Sequence, residues 1–370
     1  GAAFECHCIC ETGHYMRLIV HVSGLGTFGP GREYGARTSM EYPNTRRRVA
    51  LIAVAAVILL LSMAGVSCGV PEQSWALQYQ TGPNSLTAVS ALDPSHVWAV
   101  GNGTVYFFGG NGWSKQYEDP EKGPRDICAV DPCHAWASGG NGKGEILFHD
   151  GSTWVRQFET GDGTINPIAA ADAVNVWAVG ANDDGANIYH FDGSAWTIQH
   201  SAPMHVQDIS AADAVNVWAV GEDDAGRSNI YHFDGSSWSS EHLAAAGEYL
   251  IGVCALDPTH VWAVGYIEGW GAEGDPVGVI YFFDGERWIV QHRGGEELHR
   301  VAAADPTNVW AVGGVGVDGP ICFFDGKLWE KEYEGIEPFF DVSAADPTNV
   351  WAVGGLGGIY FSGGHREDLE

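Results

Sequence analysis

The chain has 370 residues, with 18 Lys and Arg against 47 Asp and Glu, for a formal net charge of −29. Removing residues 1–68, which hold 6 basic and 4 acidic residues, leaves 12 against 43, or −31. This excludes nucleic acid as a partner, since binding it needs a basic footprint, and it repels anionic lipid head groups, so membrane contact is expected only through an N-terminal anchor. Fifteen Trp and 51 Gly, without long helical periodicity, suit bulky packing between sheets joined by short turns.

Residues 1–39 begin with Cys6, Cys8 and Cys10 and show little periodicity. They read as an upstream leader, disordered or not in the mature protein. A small metal site built on Cys6, His7, Cys8 and Cys10 is the rival reading, but no second spaced ligand pair accompanies it. From Met40 the order is Arg46-Arg47-Arg48, an uncharged apolar run from Val49 to Val66, then Ser67-Cys68-Gly69. That is the order of a secretion signal over residues 40–68. Ala64-Gly65-Val66-Ser67-Cys68 resembles a bacterial lipobox, which implies lipidation at Cys68. Three outcomes stay open: a lipoprotein, an uncleaved anchor (a run of about 18 apolar residues just spans a bilayer), and a released protein. Each places the following chain outside the cytoplasm, as a secreted or cell-envelope protein, with the arginines inside. Residues 69–73 read as a tether.

Residues 74–361 then repeat one unit. Its first tryptophan series is Trp98, Trp136, Trp177, Trp218, Trp262, Trp310 and Trp351, with gaps of 38, 41, 41, 44, 48 and 41 residues, a period that signals a propeller or solenoid. Each unit reads as four strands. Strand A is a small-residue run such as Val89-Ser90-Ala91, and a turn such as Asp93-Pro94-Ser95-His96 leads to strand B, the Val-Trp-Ala-Val-Gly run. Strand C is an Ile-Tyr-Phe-Phe run such as Ile280–Phe283. Asp-Gly pairs at Asp192-Gly193, Asp234-Gly235, Asp284-Gly285 and Asp325-Gly326 turn it into strand D, which carries Trp113, Trp154, Trp196, Trp238, Trp288 and Trp329.

The second series is one member short after the last unit, and Ser74-Trp75-Ala76-Leu77-Gln78-Tyr79 supplies it ahead of the first. The expected fold is therefore all-β: a seven-bladed β-propeller of four-stranded blades, closed by the N-terminal strand completing the last blade. Residues 362–370 form a charged tail. The Val-Trp-Ala-Val-Gly and Phe-Asp-Gly-x-x-Trp repeats resemble those of bacterial extracytoplasmic seven-bladed propellers, and the Asp-Gly-Ser-x-Trp turn is distantly similar to the Asp-box of sialidase-like propellers. The resemblance implies the fold. With a turn at Asp131–His134, Cys128 is expected opposite Ala137, roughly 10 Å from Cys133 along the ladder and beyond disulfide reach.

The A–B and C–D turns are uniform, whereas the B–C and D–A connections vary, so a ligand is expected on the variable face. There the residues entering strand A include Asp126, Asp208, Asp341 and Arg300, flanked by Arg125, Asn166, Gln207 and His299. This polar collar suits a cation or a cationic side chain; strand-start capping around channel water is the other reading. Trp270, alone outside the two series on the B–C loop of blade 5, suits glycan stacking or a protein hot spot, or else packs back on its blade. Asp183-Asp184, Glu222-Asp223-Asp224, Glu273 and Asp275 make the face acidic, and calcium is a weak option because none has calcium-loop spacing. His200, His242 and His292 fill an outer-strand packing slot, which leaves no metal cluster and no expected cofactor. The function expected is non-catalytic binding or scaffolding of an extracytoplasmic protein or glycan by a monomeric propeller. The alternative is a carbohydrate-active enzyme, sialidase-like or another glycoside hydrolase, which needs a converging carboxylate pair at the channel mouth.

Overall fold

The computed structural model describes residues 3–11, 15–23 and 75–363, except 122, 162, 183, 184, 203, 204, 272, 273 and 317. The chain divides into two units, Gly1–Glu72 and Gln73–Glu370. In the first, Ala3–Glu11 pairs antiparallel with Tyr15–Ser23, a two-stranded sheet within the stretch expected to be a leader. Cys68 with the rest of the 40–68 signal, the 69–73 tether and the tail from 364 lie outside the described residues. Among the described residues no helix is long and apolar enough to cross a membrane.

The second unit is a ring of seven four-stranded antiparallel sheets. Blades are numbered here by their strand B tryptophans, from Trp98 in blade 1 to Trp351 in blade 7. Blade 3 is representative: Ile165–Asp172, Asn175–Asn182, Gly185–Phe191 and Trp196–Ala202 run from the channel outward. Blade 7 is composite. Its strands Phe339–Asp346, Asn349–Gly354 and Gly358–Ser362 are completed by Trp75–Gln80, with Trp75 opposite Ser362 and Gln80 opposite Gly358. The expected closure is thus present.

The Val-Trp-Ala-Val motif follows from strand alternation inside a stack of sheets. Successive side chains point to opposite faces, and here both faces are covered. Val97 and Ala99 pack against Trp351, Val353 and Ile359 of blade 7, while Trp98 and Val100 pack against Ile127, Ala135, Ala137 and Leu147 of blade 2. Seven such clusters fill the seven junctions. The closing glycine of the motif is steric: a Cβ at Gly221 would stand 2.0 Å from the His205 carbonyl oxygen on the entering strand A.

Turn chemistry also matches the sequence. Asp93 Oδ1 accepts the Ser95 N–H at 2.7 Å, and Asp93 Oδ2 lies 2.8 Å from His96 Nδ1. At the C–D turn, Asp192 Oδ1 accepts the Ser194 N–H, the Ser194 hydroxyl and the Ala195 N–H at 2.7–2.9 Å, and these donors hold its carboxyl down at about 2.

Bulges were not anticipated. Strand A shifts register near its end, so Cys128 faces Trp136 and not Ala137, the partner expected above. Cys128, Cys133, Cys254 and Cys322 are free thiols. Strand D of blade 3 skips Gln199, between Ile198 and His200. The bulge aims Gln199 Oε1 at two indoles: it accepts from Trp177 Nε1 of its own blade at 3.1 Å and from Trp238 Nε1 of the next at 2.9 Å. Gln78, Gln157 and Gln291 repeat this bridge.

Candidate functional site

A second bulge lies where strand A enters the ring. In blades 2 and 4 to 7 the ladder skips Arg125, Gln207, Ile251, His299 and Phe340, and in blade 3 it skips Asn166 and Pro167. An unpaired bulge residue turns its side chain out of the sheet. One residue from every blade, Thr87, Arg125, Asn166, Gln207, Ile251, His299 and Phe340, together with Asp126 and Arg300, lines a cavity of about 440 Å³ at the channel mouth.

Of the residues named from the sequence, Arg125, Asn166, Gln207 and His299 line this cavity, together with Thr87, Ile251 and Phe340, which the sequence reading missed. The signal was available: each of the seven stands eleven residues before its strand B tryptophan. Asp126 and Arg300 reach the wall from the next position, whereas Asp208 and Asp341 do not line it.

These aspartates join blades. Asp126 Oδ2 accepts the Ile168 N–H of blade 3 at 2.9 Å, Asp208 Oδ2 the Val253 N–H of blade 5 at 2.8 Å, and Asp341 Oδ2 the Val89 N–H of blade 1 at 2.8 Å. Each serves an inward edge donor with no strand beyond it, and a buried donor left unmade is costly. Ser210 and Ser343, two residues beyond Asp208 and Asp341, and Ser90 at the same strand position in blade 1 act likewise, accepting from Ala255, Ala91 and Ala129 at 2.9–3.1 Å. Strand-edge capping, the second reading of the sequence, describes what these carboxylates do.

Arg300 is their shared counter-ion. Its Nε lies 3.6 Å from Asp208 Oδ2, and its Nη1 donates to the Ile251 carbonyl at 2.7 Å and the His299 carbonyl at 3.1 Å. Gly252 makes room, since a Cβ there would meet the His299 oxygen at 2.5 Å and Arg300 Cα at 3.0 Å. One guanidinium does not neutralise three carboxyls. Burial raises Asp126, pushes Asp208 up to about 6 and pushes Asp341 up to about 8, against the opposing pull of Arg300 and the amide donors. Burial alone would lower Arg300, but the three aspartates outweigh it. His299 is held between the Phe339 carbonyl at 2.9 Å and Glu297 Oε1 at 3.0 Å.

Trp270 is not in the cavity wall; it stands 66% exposed on its loop. His242 packs on Tyr281 with ring centroids 5.0 Å apart. Among the described residues no group of three or more His, Cys, Asp or Glu side chains is placed to hold a metal ion.

No protein-family model and no curated protein matches the chain. Solved structures do. YCF48 bound to a D1 peptide is 16% identical, with 79% of this chain and 96% of that one covered at a TM-score of 0.60. The WD40 repeats of RRP9 are 9% identical, covering 78% and 96% at 0.59. A GH74 xyloglucanase from Xanthomonas campestris is 12% identical, covering 77% of this chain and 52% of that one at 0.56. At these identities the likeness establishes the propeller fold.

Proposed function

We propose that the chain is a non-catalytic binding or scaffolding propeller that takes a protein partner on its variable face, around the channel mouth. The observation that carries this reading is the collar. Seven equivalent backbone positions hold seven different side chains, whereas the turns of the opposite face repeat Asp-based hydrogen bonding from blade to blade. Folding alone requires the repeated turns, and side chains that differ at equivalent places on one rigid ring suit recognition. Of the structural neighbours, one is a peptide complex and one a glycoside hydrolase. Binding is favoured over hydrolysis because the carboxylates converging on the channel already accept backbone N–H groups and face Arg300. Such chemistry needs a carboxyl pair free to exchange protons with substrate.

The setting we propose is extracytoplasmic, with the chain tethered at a lipidated Cys68; this rests on the Arg46–Cys68 sequence pattern. Membrane and soluble fractions of cells expressing the full chain test both parts. Cys68→Ser should move the protein from the membrane to the soluble fraction. A discrete partner should be captured by the intact chain, lost with Arg125→Ala plus Gln207→Ala, and kept with Leu328→Ala on the opposite face. Retention by the collar variant, or turnover of a polysaccharide by the intact chain, would overturn the binding assignment.

A further inference from the structure

Four large apolar side chains stand exposed on the variable face away from the collar: Trp270 at 66%, Val315 at 58%, Ile336 at 71% and Leu356 at 52%. The other exposed large apolar side chains among the described residues lie on outer D strands or on the A–B and C–D turns of the opposite face. All four belong to blades 5 to 7, and the connections that carry them abut in sequence. A Cβ on Gly278, at the end of the 266–277 loop, would meet the Glu296 oxygen at 2.6 Å. The Gly314 N–H donates to the Glu297 oxygen at 3.0 Å, which joins 294–297 to 314–319. A Cβ on Gly319 would meet the Glu337 oxygen at 1.9 Å, and the Gly355 N–H donates to the Pro338 oxygen at 3.0 Å, which adds 335–338 and 355–358.

Charge on this arc is predominantly acidic, with Lys331 of the adjoining strand D reaching Glu296 at 3.3 Å and His299 reaching Glu297 at 3.0 Å. The five segments contain no Lys, Arg or His, and Glu268, Asp275 and Asp318 stand exposed beside the apolar side chains. The two apolar side chains of the collar, Ile251 and Phe340, also come from blades 5 and 7, with His299 and Arg300 between them in blade 6, whereas blades 1 to 4 contribute Thr87, Arg125, Asp126, Asn166 and Gln207. Large apolar side chains exposed together on adjoining connections mark an interaction site. A second copy with a net charge of −29, or an anionic membrane, would be repelled. A chain segment bearing both bulky apolar side chains and Lys or Arg satisfies both halves of the surface: apolar contact at the centre and opposite charge at the rim.

We infer that the arc over blades 5 to 7 is the docking surface for a cationic, apolar segment of a partner protein. This rests on the binding reading above and adds to the collar a second contact area, with a partner chemistry. The test is panning of a displayed random-peptide library on the immobilised full chain. Enriched peptides should combine bulky apolar residues with Lys or Arg. Their affinity should fall about tenfold or more with Trp270→Ala plus Ile336→Asp, as for central anchors. It should fall less with Glu268→Gln plus Asp318→Asn, a pair that should also flatten its salt dependence. Far-UV circular dichroism and the melting temperature of each variant confirm that the ring is intact. Enrichment of acidic or uncharged polar peptides would overturn the inference. So would peptides insensitive to the arc variants but lost with Arg125→Ala plus Gln207→Ala, an outcome that leaves binding at the collar standing. No enrichment at all would remove both readings for peptide partners. Flotation with phosphatidylcholine vesicles, or a dimer abolished by Ile336→Asp, would assign the arc to a lipid surface or to a second copy and would also overturn the inference.

Discussion

Asp341 illustrates how a single side chain can stabilise the ring and make it depend on pH. Its two oxygens accept the Val89 and Val342 N–H groups at 2.8 and 2.9 Å, so it closes the junction between blades 7 and 1. Enclosure in the channel beside Asp126 and Asp208 raises its carboxyl to about 8, and Asp208 to about 6. A carboxyl whose folded pKa lies above its unfolded value of 3.8 contributes stability that is complete below that value. The contribution fades as pH rises, through about 6 for Asp208 and about 8 for Asp341. The exposed turn aspartates Asp150, Asp192 and Asp234, lowered to about 2, act in the opposite sense: their contribution is lost as pH falls from about 4 towards 2. His149, His190, His200, His232, His242 and His292, lowered by burial, add stability as pH rises through 6.5. Thermal melts should therefore show the midpoint declining above that value, between pH 7 and pH 9. Asp341→Asn, which keeps an acceptor for Val89 and cannot ionise, should flatten that decline. A wild-type midpoint that holds or rises over this range would refute the account.

At the scale of the element, the ring relies on close backbone crossings and on bulges. Gly221 lies near the end of strand B of blade 4 where the entering strand A passes, and Gly265 does the same in blade 5, where an added Cβ would come within 1.7 Å of the Tyr249 oxygen. Neither position needs the conformational freedom of glycine; both need the absence of a side chain against backbone that cannot yield. Gly221→Ala should destabilise the fold by about 1–3 kcal/mol, the range for overpacking, measurable as a lower urea midpoint at unchanged slope. An unchanged midpoint would show that strand A shifts freely. The bulges have the opposite legibility. The Trp-x-x-Gln pattern of strand D was visible in the sequence, but its consequence was not, because a regular strand does not reveal which residue drops out of the ladder. Only the skip at Gln199 brings one amide oxygen to the indoles of two blades. Blade 4 shows the variation: Glu241 takes the glutamine's place, and the Trp218 ring stacks on His232 with centroids 4.0 Å apart.

For the whole molecule, closure is the feature on which cooperativity depends. Trp75–Gln80 covers the free edge of Gly358–Ser362, Trp75 is 1% exposed, and Gln78 accepts from Trp351 at 3.2 Å and Trp113 at 2.8 Å across the seam. Removing the strand uncovers an edge and opens the junction of blades 7 and 1. A chain lacking residues 75–80 should melt at a clearly lower temperature, lose two-state behaviour and associate through the open edge in size-exclusion chromatography. A monomer with the melting temperature of the intact chain would show that the seam contributes little.

The two tryptophan series, their spacing and the one displaced member determined blade number, strand order and closure, because a sheet buried on both faces imposes its apolar pattern locally and every copy repeats it. The division into a uniform and a variable face was equally readable, since turn chemistry is local. Which residue of each strand A faces the channel was not. A bulge inserts one residue without altering composition, and in blades 2 to 7, where strand A skips at its entry, it turns the residue before the Asp126 position toward the channel. Nor could the chain order foretell that Asp126, Asp208 and Asp341 would each serve an N–H on the next blade, or that Trp270, Val315, Ile336 and Leu356 would fall on adjoining loops. Those relations join residues far apart in sequence, and they exist only once the ring has closed.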